Sequence, residues 1–145
     1  MSDLSIGELS RRVHVKVPTI RYYEQIGLLP PPPRTEGRQR RYGPAELDRL
    51  GFIRHARDLG FEIEAIRELL GLSEQPDGPC EPADQIVTRH LAAVERRIAH
   101  LTALRTELRR MLKTCDHGQI RECRIIQVLG DHELCGADHI VPAQV

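Results

Sequence analysis

The sequence predicts a mainly α-helical fold, with a small winged helix-turn-helix head followed by one long helix. Three observations predict it. Apolar residues recur at helical spacing in two short segments before residue 27. The segment 83–113 contains neither glycine nor proline. The chain has three tyrosines, two phenylalanines and no tryptophan, so its core must rely on the aliphatic side chains that suit a helical protein.

The first two helices are expected to form the helix-turn-helix. The segment 4–14 carries four apolar residues at helical spacing, and Ser5 followed by Glu8 three residues later has the pattern of a capping box. Pro18 suits the first turn of a second helix, because no amide donor is missed there, and Gly27 suits its end. Two short helices joined by a tight turn predict this motif.

An arginine-rich hairpin, or wing, is expected after the second helix. Four prolines at 30–33 stop any helix, and the segment 34–41 holds four arginines around a glycine. Two further helices are expected at 45–59 and 62–72. A loop rich in proline and glycine, 73–82, follows them.

The longest predicted element runs from Ala83 to about Lys113, roughly 45 Å at about 1.5 Å per residue. Its apolar residues alternate steps of four and three, which is the seam of a coiled coil. The seam comprises Val87, Leu91, Val94, Ile98 and Leu101 and, after a one-residue slip, Leu104, Leu108 and Met111. A small head cannot cover such a stripe, so we expect a homodimer. A short helix at 124–129 and a polar tail follow.

The charge distribution separates the head from the rest of the chain. The net formal charge is zero, but residues 1–58 hold eleven Lys and Arg against seven Asp and Glu, whereas the remainder holds ten against fourteen. A basic head fits a polyanion-binding module. No apolar run approaches the roughly 18 residues that span a bilayer, and the polar N-terminus is unlike a signal peptide. We therefore expect a cytoplasmic protein without a membrane partner.

Basic and tyrosine side chains cluster in the head. Lys and Arg neutralise phosphates, and Tyr hydroxyls bond to phosphate oxygens and fix register. The candidates are Lys16, Thr19, Arg21, Tyr22 and Tyr23 in the second helix, and Arg34, Arg38, Arg40, Arg41 and Tyr42 in and beside the wing. The alternative is that the arginines form a solvated face and that Tyr22 or Tyr23 packs in the core.

The cysteines lie at positions 80, 115, 123 and 135, and no Cys-x-x-Cys pair occurs, which argues against an ordinary zinc ribbon. If the long helix is continuous, Cys80 and Cys115 of one chain are roughly 50 Å apart and cannot share an ion. If the helix pairs antiparallel with its copy, Cys80 of one subunit meets Cys115 and Cys123 of the other. Such thiolates favour Cu(I), Zn, Cd, Pb or Hg.

Other readings of these residues stay open. His117 could add a nitrogen ligand or be a solvated loop histidine, and we expect no essential role for Cys135. The cysteines could be small apolar residues, or Cys115 and Cys123 could form a redox pair. An enzyme is not expected, because the chain has no glycine-rich phosphate loop and no clear nucleophile–base arrangement.

Residues 4–72 closely resemble the DNA-binding domain of the MerR family of transcription regulators. The resemblance rests on Ile6-Gly7-Glu8-Leu9, Thr19-Ile20-Arg21-Tyr22-Tyr23-Glu24, Gly27-Leu28-Leu29, Arg34, Arg41-Tyr42, Phe52-Ile53-Arg54 and Leu59-Gly60-Phe61. It implies a dimer that binds an overlong promoter spacer and, with its effector, distorts the DNA so that RNA polymerase engages both promoter elements. The DNA contacts it implies are Arg21, Tyr22 and Tyr23 in the recognition helix, Arg34, Arg40 and Tyr42 at the wing, and Arg54. Family wings often read Gly-Tyr-Arg where this chain has Arg38-Gln39-Arg40.

The second half of the chain looks like that of the divalent-metal sensors of this family. Cys80-Glu81, a long helix to Cys115, and Cys123 before Ile125-Ile126 carry the likeness. The copper-sensing relatives usually have Ser where this chain has Cys80, so the resemblance implies a divalent ion. The loop of seven residues between Cys115 and Cys123 also occurs in the copper type, which keeps Cu(I) as an alternative.

The sequence thus predicts a mainly α fold with five parts, in the order winged helix-turn-helix DNA-binding domain, linker loop, long antiparallel coiled-coil dimerisation helix, C-terminal metal-binding loop and polar tail. Their expected bounds are 3–72, 73–82, 83–114, 115–130 and 131–145.

Overall fold

The computed structural model describes residues 3–31, 41–114 and 118–134. These residues form six α-helices and no β-strand, which confirms the mainly helical prediction. The helices are α1 (Ile6–Val13), α2 (Val17–Gln25), α3 (Pro44–Asp58), α4 (Ile63–Ser73), α5 (Glu81–Thr114) and α6 (Arg124–Gly130), with single 3-10 turns at Ile120–Glu122 and His132–Leu134. The chain divides into two compact units, residues 1–86 and 87–145.

Several predicted features lie outside the described residues. They are most of the wing with Arg34, Arg38 and Arg40, the loop residues Cys115 and His117, and the tail from Cys135 onward. No helix among the described residues is long and apolar enough to cross a membrane.

The beginning of α1 is the predicted capping box. The hydroxyl of Ser5 accepts a hydrogen bond from the amide of Glu8 at 3.2 Å, and the Glu8 carboxylate accepts one from the amide of Ser5 at 3.3 Å. Two amide donors that the helix leaves without partners are thereby satisfied. His14 then ends α1 in the left-handed conformation at φ 56°, which makes the turn toward α2 tight.

The bounds of α2 also follow the sequence signals. Pro18 lies in the first turn, where its missing amide costs nothing. Gly27 has a φ of 79°, a conformation that favours glycine, and it turns the chain away from the helix. The amides of Leu28 and Leu29 then donate to the carbonyl of Tyr23 at 2.9 and 3.1 Å. The chain after the turn is therefore bonded directly to the end of α2.

The first unit has one aliphatic core, to which α1–α4 and the start of α5 all contribute. The side chains with no exposed surface are Leu9, Ile20, Leu28, Leu29, Tyr42, Leu50, Ile53 and Ile66. Ile86, at 4% exposure, belongs to the same cluster and anchors the first turns of α5 in this unit. Leu4 and Tyr42 form an antiparallel bridge through amide–carbonyl bonds of 2.7 and 2.8 Å. This bridge pairs the backbone just before α1 with the backbone just after the wing.

α5 is continuous over 34 residues, about 51 Å at about 1.5 Å per residue. The first five residues of the predicted seam are exposed along it, from 37% for Val94 to 57% for Ile98. Leu108 and Leu112 are exposed as well, at 59% and 64%. Within the described part of the chain, an apolar stripe is thus exposed along most of the helix.

The predicted seam is wrong at its last position. Met111 is only 6% exposed and is buried by its own chain, as is Val128 of α6 at 2%. Near it, the Arg110 guanidinium bonds to the buried carboxylate of Glu107 at 2.6 Å and donates to the carbonyl of Leu134. The end of α5 therefore holds the last described turn of the chain.

Candidate functional site

The exposed face of α2 carries most of the DNA-contact candidates that the structure describes. Ile20 and Tyr23 point into the core, which leaves Arg21 and Tyr22 on the solvent side of the helix. Tyr22 is 50% exposed. Lys16, immediately before the helix, is exposed, and Thr19 is half-buried. Cationic and hydroxyl donors on one side of a helix are suited to phosphate oxygens and base edges.

Tyr23 does not belong to that surface, and its prediction as a DNA contact requires correction. The side chain is 7% exposed and lies in the core cluster of the first unit, 6.1 Å from the ring of Tyr22 between centroids. Helical geometry is the reason, because consecutive residues point in directions about 100° apart. One tyrosine of the pair faces solvent, and its neighbour packs.

The prediction for Tyr42 is corrected in the same way. Its side chain has no exposed surface, and its hydroxyl donates a hydrogen bond of 2.7 Å to Oε1 of Glu24. That hydroxyl binds the recognition helix instead of DNA. Neighbouring Arg41 is half-buried. Arg54 is exposed on α3 and lies 3.7 Å from a carboxylate oxygen of Asp58, one turn further along.

Two arginines that the sequence reasoning missed hold the chain at the end of α2. Arg49 of α3 donates from Nε to the carbonyl of Leu28 at 2.9 Å. Arg67 of α4 donates from Nη2 to the carbonyl of Ile26 at 3.0 Å. The acceptors are backbone carbonyls distant in sequence, so no spacing or motif could have indicated either contact. Together they fix the orientation of the helix from its C-terminal end.

Cys80 lies immediately before α5. Its carbonyl accepts hydrogen bonds from the amides of Ala83 and Asp84 at 3.0 and 3.2 Å. Its thiol is exposed, forms no disulfide, and lies 3.9 Å from a carboxylate oxygen of Asp84. An exposed, unpaired thiol immediately before a long helix is accessible to a metal ion from solvent.

Cys123 lies immediately before α6 and is partly exposed. Its carbonyl accepts a hydrogen bond from the amide of Gln127 at 3.1 Å. Within residues 3–31, 41–114 and 118–134, no three His, Cys, Asp or Glu side chains come together as a metal site. The two other predicted ligands, Cys115 and His117, are outside those ranges.

Comparison with known proteins places the chain among bacterial regulators. The family model described as "MerR HTH family regulatory protein" matches residues 4–72, and a second, "MerR, DNA binding", matches residues 47–111. The chain is 41% identical over 128 residues to the HTH-type transcriptional regulator ZntR of Escherichia coli K12, covering 86% of this chain and 90% of that protein. It is 39% identical to heavy metal-dependent transcription regulator 2 of Rhizobium meliloti, covering 88% and 87%.

A solved structure gives the same result. The transcription regulator PbrR691 from Ralstonia metallidurans CH34, crystallised in complex with lead(II), superposes with a TM-score of 0.76 at 39% identity. The match covers 87% of this chain and 98% of that one. The matched part extends beyond residue 72, so the similarity is not limited to the helix-turn-helix.

Proposed function

Because the chain belongs to the MerR family of transcription regulators, whose members are generally not enzymes, we propose that it binds promoter DNA as a homodimer and activates transcription when a thiophilic metal ion binds. One combination of features carries the proposal. A recognition helix with an exposed basic face and a long helix that begins at an exposed thiol occur in the same chain.

DNA binding is assigned to the basic surface around α2. Lys16, Arg21 and Tyr22 contribute exposed donors, and half-buried Thr19 lies beside them. The remaining contacts of the proposed interface are Arg34, Arg40, Arg41 and Arg54. Tyr23 and Tyr42 serve this interface indirectly, since their burial sets the orientation of α2.

Metal binding is assigned to Cys80 of one subunit together with Cys115 and Cys123 of the partner subunit, with His117 as a possible additional ligand. The donor chemistry fits, because thiolates prefer Zn, Cd, Pb, Hg and Cu(I) to Mg or Ca. Cys80 favours a divalent ion on the family pattern. Two relatives support a metal effector, one named as heavy metal-dependent and the other crystallised with lead(II).

Dimerisation is assigned to the exposed stripe of α5. A contiguous stripe of half-exposed leucine, isoleucine and valine side chains over several turns marks an interaction surface, because a partner that covers it removes apolar area from water. Antiparallel pairing of two such helices brings the start of one close to the end of the other. This arrangement is what allows Cys80 to share an ion with cysteines that follow the helix of the partner subunit.

Regulation follows if the dimer has two conformations that differ in metal affinity. Metal binding to the thiolates selects the conformation of higher metal affinity. The head then distorts the promoter, and RNA polymerase responds to the altered DNA without a direct contact with the sensor site.

Metal titration of the reduced, full-length protein tests the proposal. Zn(II), Cd(II), Pb(II), Hg(II) and Cu(I) are each titrated into the wild type, Cys80→Ser and, as a matched control, Cys135→Ser. We expect about one ion per subunit for the wild type and the control, and weakened or lost binding for Cys80→Ser. In vitro transcription from the cognate promoter should rise with metal only when Cys80 is present.

Two results would contradict the proposal. Operator activation that does not depend on metal would exclude a metal effector. A protein without tight metal binding, whose response follows oxidation of Cys115 and Cys123 and does not need Cys80, would be a thiol redox switch instead.

A further inference from the structure

The two arginines that hold the end of α2 each pair with a glutamate of α4. Arg67 lies 3.7 Å from a carboxylate oxygen of Glu64, in the first turn of α4. Arg49 lies 3.1 Å from a carboxylate oxygen of Glu74, the residue that ends α4. The two pairs therefore connect the recognition helix to opposite ends of the same helix.

Only the second pair reaches the segment that carries the thiol. Glu74 is followed by a turn, in which the amide of Gln75 donates to the carbonyl of Leu72 at 3.0 Å and the amide of Gly78 donates to the carbonyl of Gln75 at 2.9 Å. Cys80 comes two residues after this turn. A short, hydrogen-bonded stretch of backbone thus connects Cys80 to Glu74.

We propose that Arg49 is a positioning residue that couples the Cys80 segment to the recognition helix through Glu74 on one side and the Leu28 carbonyl on the other. This inference rests on the proposed metal response and names one route by which that response reaches the DNA. Arg49 bonds to the Leu28 carbonyl and the Glu74 carboxylate, and its side chain is not part of the exposed face of α2. It acts through the position of α2.

The chemistry of the side chain suits this role. A guanidinium is a rigid planar fork, so Nε bonded to Leu28 and Nη1 bonded to Glu74 move together. A displacement of the Glu74 carboxylate therefore rotates the group that holds the end of α2. A lysine ammonium carries its N–H donors on one nitrogen at the end of a flexible stem and does not reproduce the fixed spacing between the two guanidinium nitrogens.

The coupling is expected to be modest. The side chain of Glu74 is 65% exposed, and ion pairs at exposed positions contribute little free energy. We therefore expect the loss of this pair to reduce the metal response about two- to five-fold, and not to abolish it.

The test compares two matched glutamine substitutions in the full-length dimer. Glu74→Gln removes the acid next to the Cys80 segment, and Glu64→Gln removes the corresponding acid of Arg67. For each, the ratio of in vitro transcription with and without Zn(II) or Pb(II) is measured, together with metal affinity without DNA, operator affinity without metal, and thermal stability. Arg49→Lys provides a second variant on the other side of the pair.

We expect Glu74→Gln to lower the induction ratio about two- to five-fold, with the metal affinity and metal-free operator affinity unchanged. Arg49→Lys should lower the induction ratio at least as much and should also weaken metal-free operator binding, because it loses the bond that holds the end of α2. Glu64→Gln should keep the wild-type ratio. Equal loss in Glu64→Gln and Glu74→Gln, a wild-type ratio in Glu74→Gln, or loss that follows thermal stability would overturn the inference while leaving the metal response intact. If neither Zn(II) nor Pb(II) induces the wild type, Cd(II), Hg(II) and Cu(I) are tested in the same assay, and failure of all five would overturn the proposed function and the inference with it.

Discussion

The hydroxyl of Tyr42 donates a hydrogen bond of 2.7 Å to Oε1 of Glu24, so the chain that leaves the wing is bonded to the recognition helix. Tyr42 is fully buried, and its backbone pairs with that of Leu4 in front of α1. One residue thus joins the beginning of the head, the end of the wing and α2. Its contribution to DNA binding is the orientation of α2.

Tyr42→Phe is expected to lower the free energy of unfolding by about 1–3 kcal/mol, because Glu24 loses a hydrogen-bond donor in a partly buried place. Urea denaturation measures the change. Tyr22→Phe is the control, since its side chain is 50% exposed and its loss should leave stability unaltered. A Tyr42→Phe protein of wild-type stability would show that this hydrogen bond does not stabilise the head.

Lys16→Ala is expected to weaken operator binding and to reduce the salt dependence. Each neutralised phosphate contributes about 0.9 to the slope of log K against log salt concentration, so the slope should fall by about that amount. Fluorescence anisotropy over a series of salt concentrations measures it. Arg105→Ala, at an exposed position of α5, should leave the slope as in the wild type. Equal slopes for Lys16→Ala and the wild type would remove Lys16 from the interface.

Leu91→Glu is expected to shift the protein from dimer toward monomer, because it places a charge in the middle of the exposed stripe of α5. Sedimentation velocity at micromolar concentration measures the mass of the assembly. Arg96→Ala, on the side of α5 away from the stripe, should remain dimeric. If the wild type itself sediments as a monomer, the proposed thiolate site is excluded, because it needs ligands from two subunits.

Ser5→Ala is expected to lower the free energy of unfolding by about 1 kcal/mol, because the capping box of α1 loses its side-chain acceptor. Chemical denaturation again provides the measurement. Ser10→Ala, inside the same helix, is the matched control and should be neutral or slightly stabilising, since alanine favours helix. Similar losses in both variants would indicate that removal of any serine hydroxyl from α1 has this effect.

The features that could be predicted from the sequence are those set by neighbouring residues. The cap of α1 needs only Ser5 and Glu8, three positions apart, and its geometry follows directly. The exposed stripe of α5 is equally local, because a spacing of four and three residues places apolar side chains on one side of any helix. The proposed thiol ligands likewise follow from residue type and spacing, and they remain a prediction.

The errors arose where distant segments meet. Tyrosine is suited to both a core and a phosphate contact, and only packing decides between them. The sequence therefore predicts DNA contacts for Tyr23 and Tyr42, whereas both side chains are buried in the core. Met111 fitted the heptad spacing but is covered by its own chain. Periodicity shows which face of a helix is apolar. It does not show which segment of the protein covers that face.

The sequence by itself determined the helices, the capping box of α1 and the exposed apolar stripe, because local hydrogen bonds and periodic spacing depend on residues a few positions apart. The tertiary structure decided which tyrosines are buried and how α2 is held, because the Arg49 and Arg67 contacts join side chains to carbonyls 21 and 41 residues away. A backbone carbonyl has the same chemistry at every residue. The fold therefore decides which side chain bonds to a given carbonyl, and the sequence gives no signal for that contact.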